Sequence, residues 1–369
     1  MLSACGSVTS NATAPSPGPG TSQPAKGQTP SAPVEDSGYL YLRLGNVQGQ
    51  FYHHFVRVPA ACLVDQAACA EVEPVPTYPE GGIGFNRLHW SPDRSRAVLL
   101  DNNTDRLHIF DPQSATFSAL LEEPAVGNDD LVWLSADELA FVRQNGEQTS
   151  SLMLLTWEGD TDPEIREIIS FTGMAELLGE DLDGRLYFAE NIIDHPAVDP
   201  SLKQQTVKTN ILQVDPASGE WTKLWPEEDW LSMRPQAVTA DGHWLVYGAA
   251  EASLWDLQTG ETHPIGAGIT WPIPSPDGRW LAAVFREEDL YSIRLLDLKT
   301  LTWESVVTLR SAPMLYWSPN SQYLVLARYY EPDLVSGPLI AIDPDTEDIT
   351  TPLIDLQGYD WVDDVSWGW

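Results

Sequence analysis

One stretch constrains what this chain can fold into more than any other: Pro274-Ser275-Pro276-Asp277-Gly278-Arg279-Trp280-Leu281-Ala282-Ala283-Val284-Phe285. Looser copies of it recur from one end of the sequence to the other. Ser-Pro-Asp-Gly carries the chemistry of a tight turn: proline presets φ, the aspartate side chain bonds its own backbone, and glycine accepts a positive φ. The apolar run behind it is short and bounded, which reads as a strand buried on both faces.

The copies are Ser91-Pro92-Asp93, Ser135-Ala136-Asp137, Asp181-Leu182-Asp183-Gly184, Thr239-Ala240-Asp241-Gly242 and Ser318-Pro319-Asn320. Their Asp or Asn markers fall at positions 93, 137, 183, 241, 277 and 320, the widest spacing following 183. A second marker, an apolar run ending in aspartate before another turn, recurs at Asp111, Asp215, Asp256, Asp297 and Asp343; the second repeat has Thr156 there instead. A unit of roughly 40 to 45 residues with regularly spaced strands is the signature of a four-stranded propeller blade.

The Ser-Pro-Asp-Gly-Arg-Trp-Leu-Ala form at residues 275–282 resembles the WD-like repeat of TolB-type β-propellers and the propeller domain of the prolyl oligopeptidase family, and the likeness extends over about residues 38–369. It implies an all-β propeller and is nearly silent on activity, because propellers host many unrelated functions. Val362–Trp367 reads as an innermost strand at the chain end, and three strand-like runs stand at the other end: Tyr39–Leu44, Phe51–Val58 and Ala70–Val75. One C-terminal strand completed by three N-terminal ones closes a seven-bladed ring without a free sheet edge. A six-bladed ring is the alternative if the irregular third repeat is misread.

Ahead of the propeller, Leu2-Ser3-Ala4-Cys5 resembles a bacterial lipobox, with Cys5 as the lipidated residue, although no basic and apolar signal segment precedes it in this sequence. Residues 7–37 are almost all Ser, Thr, Pro, Gly, Ala, Asn and Gln, a composition that cannot bury enough to fold. Residues 1–37 therefore read as an anchor and disordered tether, and 38–369 as the folded domain. Of three cysteines, Cys62 and Cys69 remain to pair, which fits an oxidising extracytoplasmic compartment; two small buried thiols are the other reading.

Lys and Arg number 20 against 54 Asp and Glu, a formal charge of −34 that argues against nucleic acid as a partner. In a propeller the second-to-third-strand links and the blade-to-blade links emerge on one face around the channel mouth. The long link expected at Glu190–Asn210 brings Asp194 and His195 there, and that at Arg328–Pro338 brings Arg328, Tyr329, Tyr330 and Glu331. Blade-to-blade links bring Trp230, Arg234, Trp271, Tyr359 and Trp361. Aromatic rings beside charged groups suit a protein or glycan surface.

Catalytic signatures are missing: there is no Gly-x-Ser-x-Gly elbow, and glycine directly after Asp277 breaks the Ser-x-Asp-x-Gly-x-Thr-Trp box of sialidases. Asp101-x-Asn103-x-Asp105 and Asp343-x-Asp345-x-Glu347 have calcium-like spacing but lack the glycine and terminal glutamate of the loop motif, so both read as turns. The seven histidines show no ligand spacing. The expectation is a monomeric, lipid-anchored binding scaffold without cofactor or metal. A propeller hydrolase or lyase acting on a saccharide or lactone is the alternative.

Overall fold

The computed structural model describes residues 38–45, 54–75, 87–101, 106–121, 130–146, 149–157, 163–194, 206–225, 234–248, 251–327, 339–352, 354 and 361–368. Cys5 and the tether lie outside them. Contacts separate 1–35 from one compact unit beginning at Asp36.

That unit is a seven-bladed β-propeller of four-stranded antiparallel sheets. Blade 1 is the closing blade, its order being Trp361–Gly368, Tyr39–Gly45, His54–Pro59 and Glu73–Val75, so the C-terminal strand is innermost and three N-terminal strands complete it. Blades 2 to 7 follow in chain order. Their innermost strands are His89–Trp90, Leu131–Ser135, Met174–Glu180, Pro235–Val238, Ile269–Pro274 and Met314–Trp317.

The repeated sequence turn links first and second strands of a blade, and one hydrogen-bond pattern explains its spelling. Ser275 Oγ donates to Asp277 Oδ1 at 2.5 Å and accepts from Trp280 N at 2.9 Å, while Asp277 Oδ1 also accepts from Arg279 N. Ser91, Thr239 and Ser318 repeat it with Asp93, Asp241 and Asn320. In blade 4 Asp181 takes the serine's place, accepting from Arg185 N and from the Tyr187 hydroxyl. The glycine of the turn has a second reason: at Gly278 φ is 72°, and a Cβ would stand 3.1 Å from Asp241 N in the preceding blade. The second sequence marker works the same way. Asp111, Asp215, Asp256, Asp297 and Asp343 each accept from the backbone N–H two residues on, closing the hairpin between third and fourth strands.

Blade interfaces are apolar. Between blades 6 and 7, for example, Ala282, Val284, Ile293 and Leu295 meet Leu315, Trp317, Leu324 and Leu326. Four inner-strand tryptophans pair with their second strands at matching levels: Trp90 opposite Ala97, Trp133 opposite Leu139, Trp317 opposite Leu324 and Trp367 opposite Leu40. Indole N–H groups tie blade to blade, from Trp133 to His89 O at 2.8 Å, from Trp317 to Ile273 O at 3.0 Å and from Trp90 to Ser366 Oγ at 3.3 Å.

At the closing seam, Cys62 and Cys69 form a disulfide, both sulfurs buried in a cluster shared by blades 1 and 7. Thr350 of blade 7 donates to Leu63 O in the same loop. Two sequence expectations are corrected. Residues 66–70 form a 3₁₀ turn, so the strand expected over Ala70–Val75 is only Glu73–Val75; the disulfide loop needs that turn to bring its cysteines together. The two ends of the segment expected as a link over Glu190–Asn210 are strand instead, because Leu186–Asp194 and Thr206–Val214 pair along their whole length. Glu190 is buried inside that hairpin, accepting from Thr172 N and Oγ1 and from Asn210 Nδ2.

Candidate functional site

Register puts one residue of each blade at a common level near the start of the innermost strand. Asp364 pairs with Arg43 in blade 1, Glu176 with Ala189 in blade 4, Thr270 with Val284 in blade 6 and Met314 with Ala327 in blade 7. Asp130 accepts from Val142 N and Arg234 from Gly248 N through their carbonyls, which sets both at that level in blades 3 and 5. Arg87, two residues ahead of His89, completes the layer in blade 2. Arg87, Glu176, Arg234, Thr270 and Met314 are exposed at this level, Arg87 and Arg234 just ahead of their strands and the other three within theirs. The layer is thus a collar of six polar or charged residues, mixed in sign, and Met314, formed by seven segments far apart in sequence.

Trp271 adjoins this collar and is 55% exposed. Its backbone is left-handed, with φ 48°, at a bulge between Thr270 and Ile273. The cause is Pro272, which has no N–H to give the ladder and so is accommodated at a bulge. Every other described non-glycine residue with positive φ (Arg94, Ala115, Glu288, Leu301, Ser321 and Glu347) sits in a turn between strands. A bulky residue in this region is a genuine outlier costing on the order of 1–2 kcal/mol, and bulges of this kind re-aim side chains.

On the blade 7–1–2 side the wall holds a buried polar group. The Tyr316 hydroxyl bonds the Asp364 carboxyl, and the Arg87 guanidinium lies 5.4 Å from the Tyr316 ring centre. Burial pushes the Asp364 carboxyl up, against the pull of Arg87 and Arg43, and burial likewise raises the Tyr316 hydroxyl. On the opposite wall Glu180 is pushed up to about 7, by burial first and by neighbouring Asp181 second.

A cavity of about 340 Å³ runs beside blades 7, 1, 2 and 3 from Arg87 to the turn residues Pro92 and Pro319. Its wall includes His89, Trp90, Trp133, Trp317, Ser366 and Trp367.

Of the sequence-derived candidates, Trp271 and Arg234 stand at the collar, both exposed. Asp194 ends a strand and Trp361 begins one. His195, Trp230, Arg328, Tyr329, Tyr330, Glu331 and Tyr359 lie outside the described residues. Sequence reading passed over Arg87, Glu176, Tyr316 and Asp364, for which strand register was needed, and the tryptophan wall, which the recurring Trp-Ser-Pro of residues 90–92 and 317–319 does signal. The Asp343–Glu347 spacing forms a hairpin turn with Asp345 paired to Arg279, and no group of metal-binding side chains stands together among the described residues.

No protein-family model matches the chain, and no curated protein sequence matches it. Solved structures do. An oligogalacturonate lyase in complex with manganese aligns with a TM-score of 0.57 at 14% identity, over 86% of this chain and 84% of the other. A Bacteroides uniformis protein assigned as a 6-phosphogluconolactonase aligns with a TM-score of 0.57 at 14% identity, over 90% and 99%. TolB from Acinetobacter baumannii aligns with a TM-score of 0.45 at 16% identity, over 85% and 78%. At such identities the likeness is one of fold, and the fold is the seven-bladed β-propeller, which by itself assigns no activity.

Proposed function

We propose that this chain is a non-catalytic, extracytoplasmic, lipid-anchored propeller that binds another protein or a glycan at the channel mouth, around the collar and Trp271. The observation that carries this reading is Trp271, an exposed indole held in a strained backbone at the rim of a mixed-charge layer. Indoles give large contact area at low entropy cost, and strain of this kind clusters at ligand sites. The Cys62–Cys69 disulfide supports an oxidising compartment. Cys5 would carry the lipid and residues 7–37 would tether a monomeric domain to the membrane, so the membrane contact is the anchor alone.

The test is a saccharide and peptide array probed with the labelled domain and with Trp271→Ala and Trp221→Ala, Trp221 being an exposed outer-strand tryptophan. Binding abolished by Trp271→Ala and unaffected by Trp221→Ala supports the reading; binding indifferent to Trp271 contradicts it. One observation favours a hydrolase or lyase acting on a saccharide or lactone: the buried Tyr316–Asp364 pair under Arg87 is a proton-bearing group beside a cation. Conversion of an array ligand, seen by mass spectrometry and lost in Tyr316→Phe, would select that alternative.

A further inference from the structure

The cavity at blades 7, 1, 2 and 3 is a second place of interest, sharing Arg87 with the collar but lined by none of the blade 6 residues around Trp271. Its volume, about 340 Å³, falls in the range of small-ligand pockets, roughly 300–1,000 Å³. Trp90, Trp133, Trp317 and Trp367 supply four indoles from four successive blades. The N–H groups of Trp90, Trp133 and Trp317 are already given to Ser366, His89 and Ile273, so these rings offer carbon surface to the cavity.

The polar contribution is one-sided. Arg87 and His89 line the cavity and no carboxylate is among its lining; Asp364, bonded to Tyr316, and Asp130 are the acidic groups of the collar on the flanking blades 1 and 3. Arg87 is the formally charged side chain of the lining, inside a protein whose formal charge is −34. Ser366 Oγ, accepting from Trp90, keeps its hydroxyl hydrogen to donate elsewhere. Indole carbon surface with a guanidinium at one end matches a flat molecule ending in a carboxylate: the rings meet the body, and the planar fork of Arg87 takes the two oxygens.

We infer that this cavity is a binding site for a small organic acid with a planar apolar body, seated on the inner-strand tryptophans with its carboxylate at Arg87. The site deals in charge opposite to that of the protein's surface, so bulk electrostatics disfavours the ligand and the local wall must select it.

Calorimetric titration of the whole chain with indole-3-acetate, its neutral amide indole-3-acetamide, and tetramethylammonium tests this directly. The acid is expected to bind at least tenfold more tightly than the amide, and Arg87→Met to bring the acid down to the amide's level. Trp221→Ala, distant on an outer strand, should leave acid binding unchanged. Trp317→Leu, which keeps the cavity apolar but removes a ring, should weaken acid and amide together, a readout independent of whether Arg87→Met folds. Equal binding of acid and amide, preference for tetramethylammonium, or no binding of the acid up to millimolar concentration would overturn the assignment.

Discussion

Ser275→Ala is the sharpest stability test of how the repeat works. The residue is fully buried, and its Oγ accepts from Trp280 N at 2.9 Å and donates to Asp277 Oδ1 at 2.5 Å. Alanine leaves the Trp280 N–H without its acceptor where water does not reach, Trp280 itself being 4% exposed. A stranded buried donor costs about 1–3 kcal/mol. The Asp277 carboxylate loses one of its bonds but keeps Arg279 N and is solvent-exposed, so its share is small. The expected loss is about 2 kcal/mol, read as a lower denaturation midpoint at constant m-value in urea. Ser275→Thr is the control, because Thr239 makes the same pair of bonds in blade 5, and it should cost clearly less than alanine. A loss below about 0.5 kcal/mol for alanine, or a threonine variant as damaged as the alanine one, would refute the claim that the hydroxyl holds the turn.

Glu347→Gly should stabilise by up to about 1 kcal/mol in the same assay, since Glu347 is exposed with φ 60° at the position where blades 4 and 5 carry Gly219 and Gly260. Glu180, held up at about 7, is protonated in the folded state at pH values where the unfolded chain is ionised; its contribution falls as pH rises from about 4.5 to 7, so Glu180→Gln should raise the melting temperature more at pH 8 than at pH 4. Replacing Cys62 and Cys69 by alanine should cost about 2.5 kcal/mol by loop entropy and loosen the blade 1–7 seam first, seen as faster amide exchange in Tyr39–Gly45.

Architecture was legible because its information is local. Ser-Pro-Asp-Gly and the aspartate of the second marker act within five residues of themselves, so each copy could be read where it stood, and the count of strands at the two ends gave the closure of the ring. The ends of the link expected over Glu190–Asn210 were misread because those strand residues include Glu190, Asn191, Thr209 and Asn210, polar residues that look like a link until Glu190 is seen to be satisfied inside. The site was legible only in outline. Trp271 could be named as an exposed aromatic, but its left-handed backbone follows from a bulge at Pro272 within a paired strand. Arg87, Asp130, Glu176 and Arg234 share a level only through the registers of four separate blades, which no short window of sequence contains.

The most direct test of the proposed channel-mouth role is hydroxyl-radical footprinting of the domain with and without an array-identified ligand, read at three oxidisable side chains. Trp271 and Met314 stand at the rim on blades 6 and 7, exposed 55% and 39%, and Trp221 is 54% exposed on an outer strand of blade 4. Protection of Trp271 and Met314 with Trp221 unchanged is the predicted result. Protection of Trp221, with Trp271 and Met314 oxidised as in the free protein, would place binding on the outer edge of the ring and contradict the account.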